Sequence, residues 1–360
     1  MFAGIFKNKK IIITGDSGFK GTWLSIWLKE LGADVYGYSL PAENKMDNFN
    51  LCGLEGIINH KDGDIRNRED LSKFFQQVKP DFAFHLAAQP IVLDSIKDPY
   101  TTFSTNVMGT VNFFESVRNC SSIKVAINIT SDKCYKNQNW LWSYRESDEL
   151  GGTDPYSCSK SISELITESY IKSYFANRDF PFIATARAGN VLGAGDWANF
   201  RIVPDIFRSI IGKKTVKVRN PSYTRPWQHV LEPLSGYLTL AHHLFENGKE
   251  YQGAWNFGPR NDNCSVLDVV KKIKEFERGL DFILSTDKGE NKEHSILGLD
   301  ISKSKNLLNW YPLLSFHETI RFVHNGYMSD LNGGLAINNR KEMISRYCRI
   351  GREKQIKWSN

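Results

Sequence analysis

Short apolar runs and amphipathic stretches alternate along roughly the first half of the chain. Each apolar run is long enough for one buried strand, and the stretch after it repeats apolar positions at helical spacing. A strand and its helix together take about thirty residues, the length of one crossover unit. We therefore predict an α/β fold built on a doubly wound parallel sheet. The predicted strands are 9–14, 34–38, 57–60, 82–86, 124–130 and 182–186, and the predicted helices are 23–31, 71–78, 101–119 and 155–175.

The regular alternation ends near residue 189, where loops rich in Gly, Pro, Asn and Trp begin. Beyond it, helices are predicted at 232–246, 265–276 and 315–326, and a strand at 253–257 returns to the sheet. We therefore expect a smaller C-terminal domain beside the sheet. The predicted division is 1–188 with 226–260 for the sheet domain, 189–225 with 261–334 for the smaller domain, and 335–360 for a basic tail.

A glycine-spaced turn follows the first predicted strand, where residues 14–21 read Thr-Gly-Asp-Ser-Gly-Phe-Lys-Gly. Glycines let the backbone approach a pyrophosphate, and the helix after the turn points its free N–H groups at the anion. This strand–turn–helix order favours a dinucleotide site over a simple turn and makes the sheet domain a Rossmann domain. The contacts expected from this turn are Gly15, Ser17, Gly18, Phe19 and Lys20.

The end of the second strand bears on the choice between NAD and NADP. Residues 35–40 read Val-Tyr-Gly-Tyr-Ser-Leu, so the acid that usually holds the ribose hydroxyls is missing. No arginine stands there for a 2′-phosphate, and we expect NAD. Asp64, after the third strand, either holds the adenine amino group or caps a turn.

Tyr156 and Lys160 stand four residues apart, just after an expected helix start at Asp154 and Pro155. One turn of helix puts both side chains on the same face. A lysine cation stabilises the phenolate, so the tyrosine can take a proton from a substrate hydroxyl as hydride leaves the same carbon. Ser131, upstream, would hold that hydroxyl. With the glycine turn, this set predicts hydride transfer, although such Tyr/Lys pairs alone are common on helices.

Asp132 and Lys133 come directly after the predicted strand 124–130, at the sheet edge where such folds bind their ligands. One interpretation is an ion pair in a surface loop. The other is a proton donor for a departing hydroxide, with a partner for the carbon acid next to a ketone. A dehydrogenase needs only the Ser/Tyr/Lys set, so the added pair indicates elimination of water.

Charge excludes one class of partner. The formal charge is +6, but residues 340–360 hold seven Lys/Arg and two Glu, which supply five of those six charges. The rest of the chain is nearly neutral and carries no field suited to nucleic acid. We expect residues 335–360 to form a solvated, partly disordered tail, with contact to an acidic partner as the alternative.

The remaining composition favours a cytoplasmic protein. No apolar run approaches the roughly 20 residues of a membrane span, and residues 1–10 lack the features of a signal peptide. The cysteines have no metal-ligand spacing, so we expect reduced packing residues and no metal. They are Cys52, Cys120, Cys134, Cys158, Cys264 and Cys348.

These motifs together resemble those of the nucleotide-sugar 4,6-dehydratases, within the extended short-chain dehydrogenase/reductase family. The Asp-Lys pair is typical of the branch that acts on a CDP-hexose, because the dTDP-glucose and GDP-mannose branches carry Asp-Glu there. The likeness covers most of residues 9–325. It rests on TGDSGFKGTWL (14–24), HLAAQPIV (85–92), TNVMGTVNFFE (105–115), TSDKCY (130–135), YRESDELGGTDPYSCSK (144–160), ARAGNVLGAGDW (186–197), RNPSYTRPWQHVLEPLSGYL (219–238) and AWNFGP (254–259).

The resemblance implies a cycle on a nucleotide hexose. Ser131, Tyr156 and Lys160 would oxidise C4 of the sugar with bound NAD. Asp132 would protonate the leaving C6 hydroxyl, and Lys133 stands where relatives carry the base for the C5 proton. The hydride would then return to C6. The resemblance also implies a homodimer or higher homo-oligomer, assembled through a helix bundle.

Binding residues follow from the same resemblance. Asn190 would contact the substrate phosphates and Arg225 would neutralise the pyrophosphate, although a packed structural arginine is the alternative. Gln89 would face both substrate and cofactor. For His85, a satisfied core histidine is the default. The further cofactor contacts expected are Ile65, Leu86, Ala87, Ala88 and Gln89.

The sequence departs from the family's usual residues at two places, and two alternative functions remain. Asp16 stands where this branch usually has His, which puts a negative charge near the cofactor phosphates unless the side chain turns away. Leu93-Asp94 replaces an expected pair of arginines. A nucleotide-sugar 4-epimerase would share the Ser/Tyr/Lys set but needs no acid/base pair after the serine. A non-catalytic NAD-binding scaffold would not need the complete set.

Overall fold

The structure, a computed structural model, describes residues 1–176, 179–260, 264–285 and 295–359. Its strands and helices follow the predicted alternation in the first half of the chain. The strands are β1 Lys10–Thr14, β2 Asp34–Ser39, β3 Asn59–Asp62, β4 Phe82–His85, β5 Val125–Ile129, β6 Phe182–Ala188, β7 Val191–Leu192, β8 Val216–Val218, β9 Thr224–Arg225, β10 Gln228–His229, β11 Gly253–Phe257, β12 Cys264–Ser265 and β13 Phe282–Leu284. The helices are α1 Phe19–Glu30, α2 Asn48–Leu51, α3 Arg68–Val78, α4 Val92–Lys97, α5 Pro99–Phe103, α6 Gly109–Arg118, α7 Pro155–Tyr170, α8 Ile202–Gly212, α9 Leu231–Asn247, α10 Val266–Phe276, α11 Ser302–Leu308, α12 Phe316–Leu331 and α13 Ala336–Glu353.

A parallel sheet runs through the described chain in the strand order β11-β6-β5-β4-β1-β2-β3. The order reverses between β1 and β4, the point at which doubly wound sheets open a crevice at their carboxyl edge. The predicted α/β class and doubly wound sheet are confirmed. The returning strand also lies as predicted, since β11 pairs with β6 in parallel.

The two faces of the sheet are covered by different sets of helices. One face packs under α1, α9 and α13, and its cluster includes Ile127, Ala184 and Leu234. The other packs under α3 and α6, with Ala126 and Ile183 on the sheet. Neighbouring residues of a strand point to opposite faces of the sheet, so Ile127 belongs to the first cluster and its neighbour Ala126 to the second.

The smaller C-terminal part has its own apolar cluster, formed by α8, α10 and α12 and including Phe207, Ile273 and Tyr327. Its strands make three short pairs, β7 with β10, β8 with β13 and β9 with β12. The helix α8 was not predicted. Loop-forming residues precede it and mask its start.

The third strand is shifted from the predicted 57–60 to Asn59–Asp62. The prediction began the strand at Ile57 and Ile58. Ile58 is buried, but both residues lie in the segment that leads into the strand. The strand itself is at the sheet edge, where polar residues are tolerated.

The predicted solvated tail was 335–360, and the described residues 335–359 do not form one, because α13 packs against α1. Arg340 is fully buried in an ion pair with Asp330, at 2.6 Å between Nη2 and Oδ2. Tyr347 donates to Glu232, and Trp358 stacks on Phe2 with ring centroids 5.2 Å apart. The apolar positions of α13 recur at helical spacing, a pattern hidden by its many arginines and lysines.

Candidate active site

A cavity of about 300 Å³ lies at the carboxyl edge of the sheet, against the smaller C-terminal part. Its wall on the sheet side includes Ser131, Asp132, Lys133 and Tyr156. Facing residues include Asn190 and Arg225. The structure therefore brings these six predicted residues to one space, whereas the predicted Lys160 and Gln89 do not line it.

The glycine turn forms a tight cradle beneath the crevice. Gly15 has a φ of +78°, and a Cβ there would lie 2.6 Å from the backbone nitrogen of Ala87. At Gly21 a Cβ would lie 2.0 Å from the Gly15 carbonyl oxygen, so only glycine lets α1 begin this close to the turn. No described side chain caps α1, and its first turn has no acidic residue. This arrangement fits the pyrophosphate of a dinucleotide.

Asp16 would place a negative charge near the cofactor phosphates if its side chain faced the glycine turn, but the side chain points away from that turn. Its carboxylate lies over Gly37 of β2 and accepts from His60, at 2.6 Å between Oδ2 and Nδ1. The hydrogen bond that His60 donates to Asp16 raises the pKa of His60. The carboxylate is therefore directed toward His60 on β3.

Ser131 and Asp132 sit in a single helical turn immediately after β5. The Ser131 hydroxyl donates to Asp132 Oδ1 at 2.9 Å and accepts from the Lys133 backbone N–H at 3.3 Å. Asp132 is buried, and desolvation raises its pKa above the ordinary range. A carboxyl group in this setting can hold a proton and give it to a leaving group.

Tyr156 and Lys160 lie in the first two turns of α7, which begins as predicted. Asp154 caps the helix by accepting from the Ser157 N–H at 2.9 Å. Burial raises the pKa of Tyr156 to about 12, and its hydrogen bond with Ser131 opposes this rise. Burial lowers the pKa of Lys160 to about 8, and its ammonium donates to the Ile129 carbonyl at 3.4 Å.

Arg201 is a cation that sequence analysis missed. It precedes α8, pairs with Asp196 at 2.8 Å between Nη1 and Oδ2, and its charge acts on the Tyr156 phenol. Nothing local in the sequence distinguishes it from a surface arginine.

Lys20 also turns its side chain into the cavity. Burial lowers its pKa to about 7, and the charges of Lys160 and Arg201 lower it further. The cavity thus gathers more positive than negative charge, which suits a diphosphate. Its cations are Lys20, Lys133, Arg201, Lys217, Arg219 and Arg225, and its carboxylates are Asp132, Asp196 and Asp205.

Other predicted binding residues already have protein partners. Asp64 forms a turn in which it accepts from the Arg66 N–H at 2.8 Å and from its guanidinium, so its capping role is visible. Gln89 donates to Thr102 at 3.0 Å. His85 is the expected core histidine, since it bonds to Thr14 at 2.7 Å and burial lowers its pKa to about 3. Leu86, Ala87 and Ala88 follow β4 along the crevice, and Ile65 packs against Gly109.

The cysteines all carry free thiols. Burial raises the pKa of Cys134 well above its ordinary range, in keeping with a packing residue. No helix of the described residues is long and apolar enough to cross a membrane. Nor do these residues bring three His, Cys, Asp or Glu side chains together as metal ligands would be.

Comparison with known proteins agrees with the motifs. The family model described as GDP-mannose 4,6 dehydratase matches residues 12–323. CDP-glucose 4,6-dehydratase of Salmonella typhimurium is 41% identical over 350 residues, covering 95% of this chain and 97% of that protein. CDP-paratose 2-epimerase of Salmonella typhi is 25% identical, covering 88% and 98%.

Solved structures share the fold. The dTDP-glucose 4,6-dehydratase of Bacillus anthracis, in complex with NAD, matches with a TM-score of 0.73 at 19% identity, covering 91% of this chain and 99% of that one. The epimerase Mth375 of Methanothermobacter thermautotrophicus matches with a TM-score of 0.80 at 21% identity, covering 94% and 96%. The family match spans most of the chain and the Salmonella dehydratase is matched along nearly its whole length, so the resemblance read from the motifs is confirmed and the chain belongs to the GDP-mannose 4,6 dehydratase family.

Proposed function

We propose that the protein is an NAD-dependent nucleotide-sugar 4,6-dehydratase whose preferred substrate is CDP-glucose and whose product is CDP-4-keto-6-deoxyglucose. The observation that carries this is the shared cavity wall, on which Asp132 and Lys133 stand beside Ser131 and Tyr156. The Salmonella relative supports the choice of CDP-glucose. A 4-epimerase has no use for the acid and base after the serine.

The glycine cradle would hold NAD, which would supply the hydride acceptor for oxidation at C4 and the hydride donor for reduction at C6. Tyr156 would remove the C4 hydroxyl proton while Ser131 holds the oxygen, and the hydrogen bond with Ser131 and the charge of Arg201 favour the phenolate that this step requires, against the effect of burial. The resulting ketone makes the C5 proton acidic, and Lys133 removes it. Asp132 gives its proton to the C6 hydroxyl, which leaves as water. Lys133 would then return a proton to C5 as hydride is delivered to C6, so oxidation at C4 is offset by reduction at C6 and the net change is the loss of water.

Substrate binding depends on the cations of the cavity. Arg225 is buried, and its Nη1 donates to the Thr224 carbonyl at 2.8 Å, which fixes the direction of its guanidinium. We assign it to the diphosphate of the substrate, with Asn190 beside it.

The two predicted domains would divide the ligands between them. Residues 1–188 with 226–260 would hold the cofactor, and residues 189–225 with 261–334 would hold the nucleotide sugar. Tyr100 on α5, Met108 in the turn between α5 and α6, and Leu165 on α7 are exposed, which supports a homodimer or higher oligomer. Activity in the cytoplasm is part of the same proposal.

Isotope labelling tests the internal redox cycle. Substrate deuterated at C4 should give product deuterated at C6, in ordinary water and with excess unlabelled NAD. A panel of CDP-, dTDP-, GDP- and UDP-glucose, read by the ultraviolet absorbance of the 4-keto product in alkali, tests the base. Label lost to the NAD pool contradicts the cycle. Label returned to C4 with the 6-hydroxyl intact supports the epimerase instead.

The acid is tested separately. Asp132→Asn keeps the shape of the side chain and removes its transferable proton. C4 oxidation should survive better than elimination, so reduced cofactor should accumulate in a single turnover. Cofactor reduction blocked as completely as in a Tyr156→Phe control would contradict a specific role for Asp132.

A further inference from the structure

Three buried polar side chains of α7 meet the end of β5. Tyr156 bonds to Ser131, Lys160 donates to the Ile129 carbonyl, and the Glu164 carboxylate accepts from the Thr130 hydroxyl. They are spaced by four residues, so they form one row along the helix. Three consecutive residues at the end of the strand, 129–131, are thereby each bonded to a different turn of α7.

Glu164 is also half of a buried ion pair. Its Oε2 lies 2.8 Å from Nη2 of Arg187 on β6, and both side chains are 3% exposed. The Thr185 hydroxyl donates to the same carboxylate oxygen at 2.7 Å. The Glu164 carboxylate therefore connects α7 to β6 as well as to the residue before Ser131.

Arg187 reaches the other end of the catalytic loop. Its Nη1 donates to the Tyr135 hydroxyl at 2.8 Å, and its guanidinium lies 4.9 Å from the centre of that ring. Tyr135 in turn donates to Asn256 of β11 at 2.7 Å. The loop 130–135, which carries Ser131, Asp132 and Lys133, is thus held at its start by Glu164 and at its end by Arg187.

Stability alone is a weak reason for such a pair. Two charges lose their hydration when buried, and an apolar pair of similar volume is often as stable or more stable. The bonds that end on Thr130 and Tyr135 give the pair a geometric role that an apolar substitute would not supply.

The Glu164 carboxylate also acts on Lys160. Burial lowers the pKa of Lys160, and Glu164 opposes this. Other titratable groups near the ammonium come from three further segments: Lys20 on α1, His85 on β4 and Cys134 in the loop. Burial keeps His85 and Cys134 uncharged at neutral pH, and the cation of Lys20 works against a charged Lys160. Glu164 is therefore the anion, among these groups, that favours the ammonium.

We propose that Glu164 and Arg187 are positioning residues, a buried ion pair that holds both ends of the 130–135 loop against α7 so that the acid, the base and the phenol face the same sugar. The Glu164 carboxylate, one turn beyond Lys160 in the same buried row of α7, has a second role, which is to favour the ammonium form of Lys160. This inference rests on the proposed dehydratase reaction.

The charge is tested by the pH dependence of kcat. Glu164→Gln removes the anion, so the alkaline limb, where Lys160 loses its proton, should move to lower pH by about one unit. Glu164→Asp keeps the charge and shortens the reach, so it should lower kcat and leave the limb near its original pH. Glu168→Gln is the matched control, because Glu168 lies one turn further along α7, exposed and bonded to Lys172 at 2.5 Å. Its profile should equal that of the parent enzyme.

The two ends of the loop are tested by two milder variants that keep every charge. Thr130→Val frees the end next to Ser131 and should slow cofactor reduction. Tyr135→Phe frees the end beyond Lys133 and should slow elimination, so that reduced cofactor accumulates in a single turnover. The alkaline limb should stay in place in both.

An alkaline limb of Glu164→Gln that coincides with that of the parent overturns the proposal, whatever the value of kcat. If Glu164→Gln does not fold, the two loop variants decide, and equal slowing of both steps in each overturns it. These results differ from failure of the proposed function, in which the parent enzyme itself makes no 4-keto product from any of the nucleotide sugars.

Discussion

The helices α7 and α9 pack on opposite faces of the same part of the sheet and have nearly equal lengths, but they bury opposite kinds of surface. The buried side chains of α9 are mainly apolar and include Leu231, Leu234, Tyr237, Leu238, Leu240, Ala241 and Leu244. Those of α7 are almost all polar and include Ser159, Lys160, Ser161, Ser163, Glu164 and Thr167. Burial of apolar surface holds α9 in place, whereas hydrogen bonds of defined direction hold α7.

Directed bonds fix more than distance. Asn128 of β5 donates to Ser163 at 3.0 Å and to Thr167 at 2.9 Å, and Asn106 donates to Ser159 at 2.9 Å. Such bonds set the rotation of α7 about its axis, whereas apolar packing tolerates small rotations. We infer that the fold divides stability from alignment: the apolar contacts of α9 mainly stabilise the fold, and the hydrogen bonds of α7 align the reacting groups.

Tyr156→Phe gives the largest expected effect and belongs to the α7 side. Only a hydroxyl is lost, so the fold should survive while turnover falls at least about 10²-fold, as for loss of a general base. Steady-state turnover and the thermal midpoint should be measured together. Near-normal turnover would contradict the catalytic assignment of α7.

Leu234→Ala is the counterpart on α9. Leu234 is fully buried in the larger cluster, so the substitution should lower the free energy of unfolding by about 2–5 kcal/mol. Urea denaturation measures that loss, and kcat per folded molecule should hardly change. A large fall in kcat with little loss of stability would break the separation.

Asn128→Ala should show the reverse pattern at smaller cost. It removes both bonds to α7 and should lower the free energy of unfolding by about 1–3 kcal/mol. Because α7 loses a rotational constraint, kcat should fall further than it does in Leu234→Ala. Equal or smaller loss of kcat would show that α7 does not need these bonds for alignment.

The smallest effect concerns a polar pair on the α9 side, Asp16 with His60. The hydrogen bond to Asp16 raises the pKa of His60 above its unfolded value, so the protonated imidazole stabilises the fold. That stability should be complete below about pH 6.5 and should be lost as pH rises through the raised pKa. Urea midpoints measured across this range should fall, and His60→Gln should flatten the curve. A midpoint in the parent that does not change with pH would contradict the pairing.

The same comparison shows what sequence could predict. The helix α9 follows from its apolar spacing, and α7 follows from its Asp-Pro start and its Tyr/Lys pair. Ser131, Asp132 and Tyr156 could be placed because strand ends meet at one edge. Arg201, Glu164 and Arg187 could not, since a polar residue that acts through distant partners has no local signature. The helix α13 was missed because its five basic residues drew attention to charge and away from apolar positions that recur at helical spacing.

The position of α13 also bears on how the protein is made. Trp358 packs against Phe2 and Trp27, so each of these two side chains meets this partner only after more than three hundred further residues have been added. Domains can begin to fold during synthesis. Here the contacts of Phe2 and Trp27 with Trp358 form only once residue 358 has been added, so the layer over α1 cannot be completed before then.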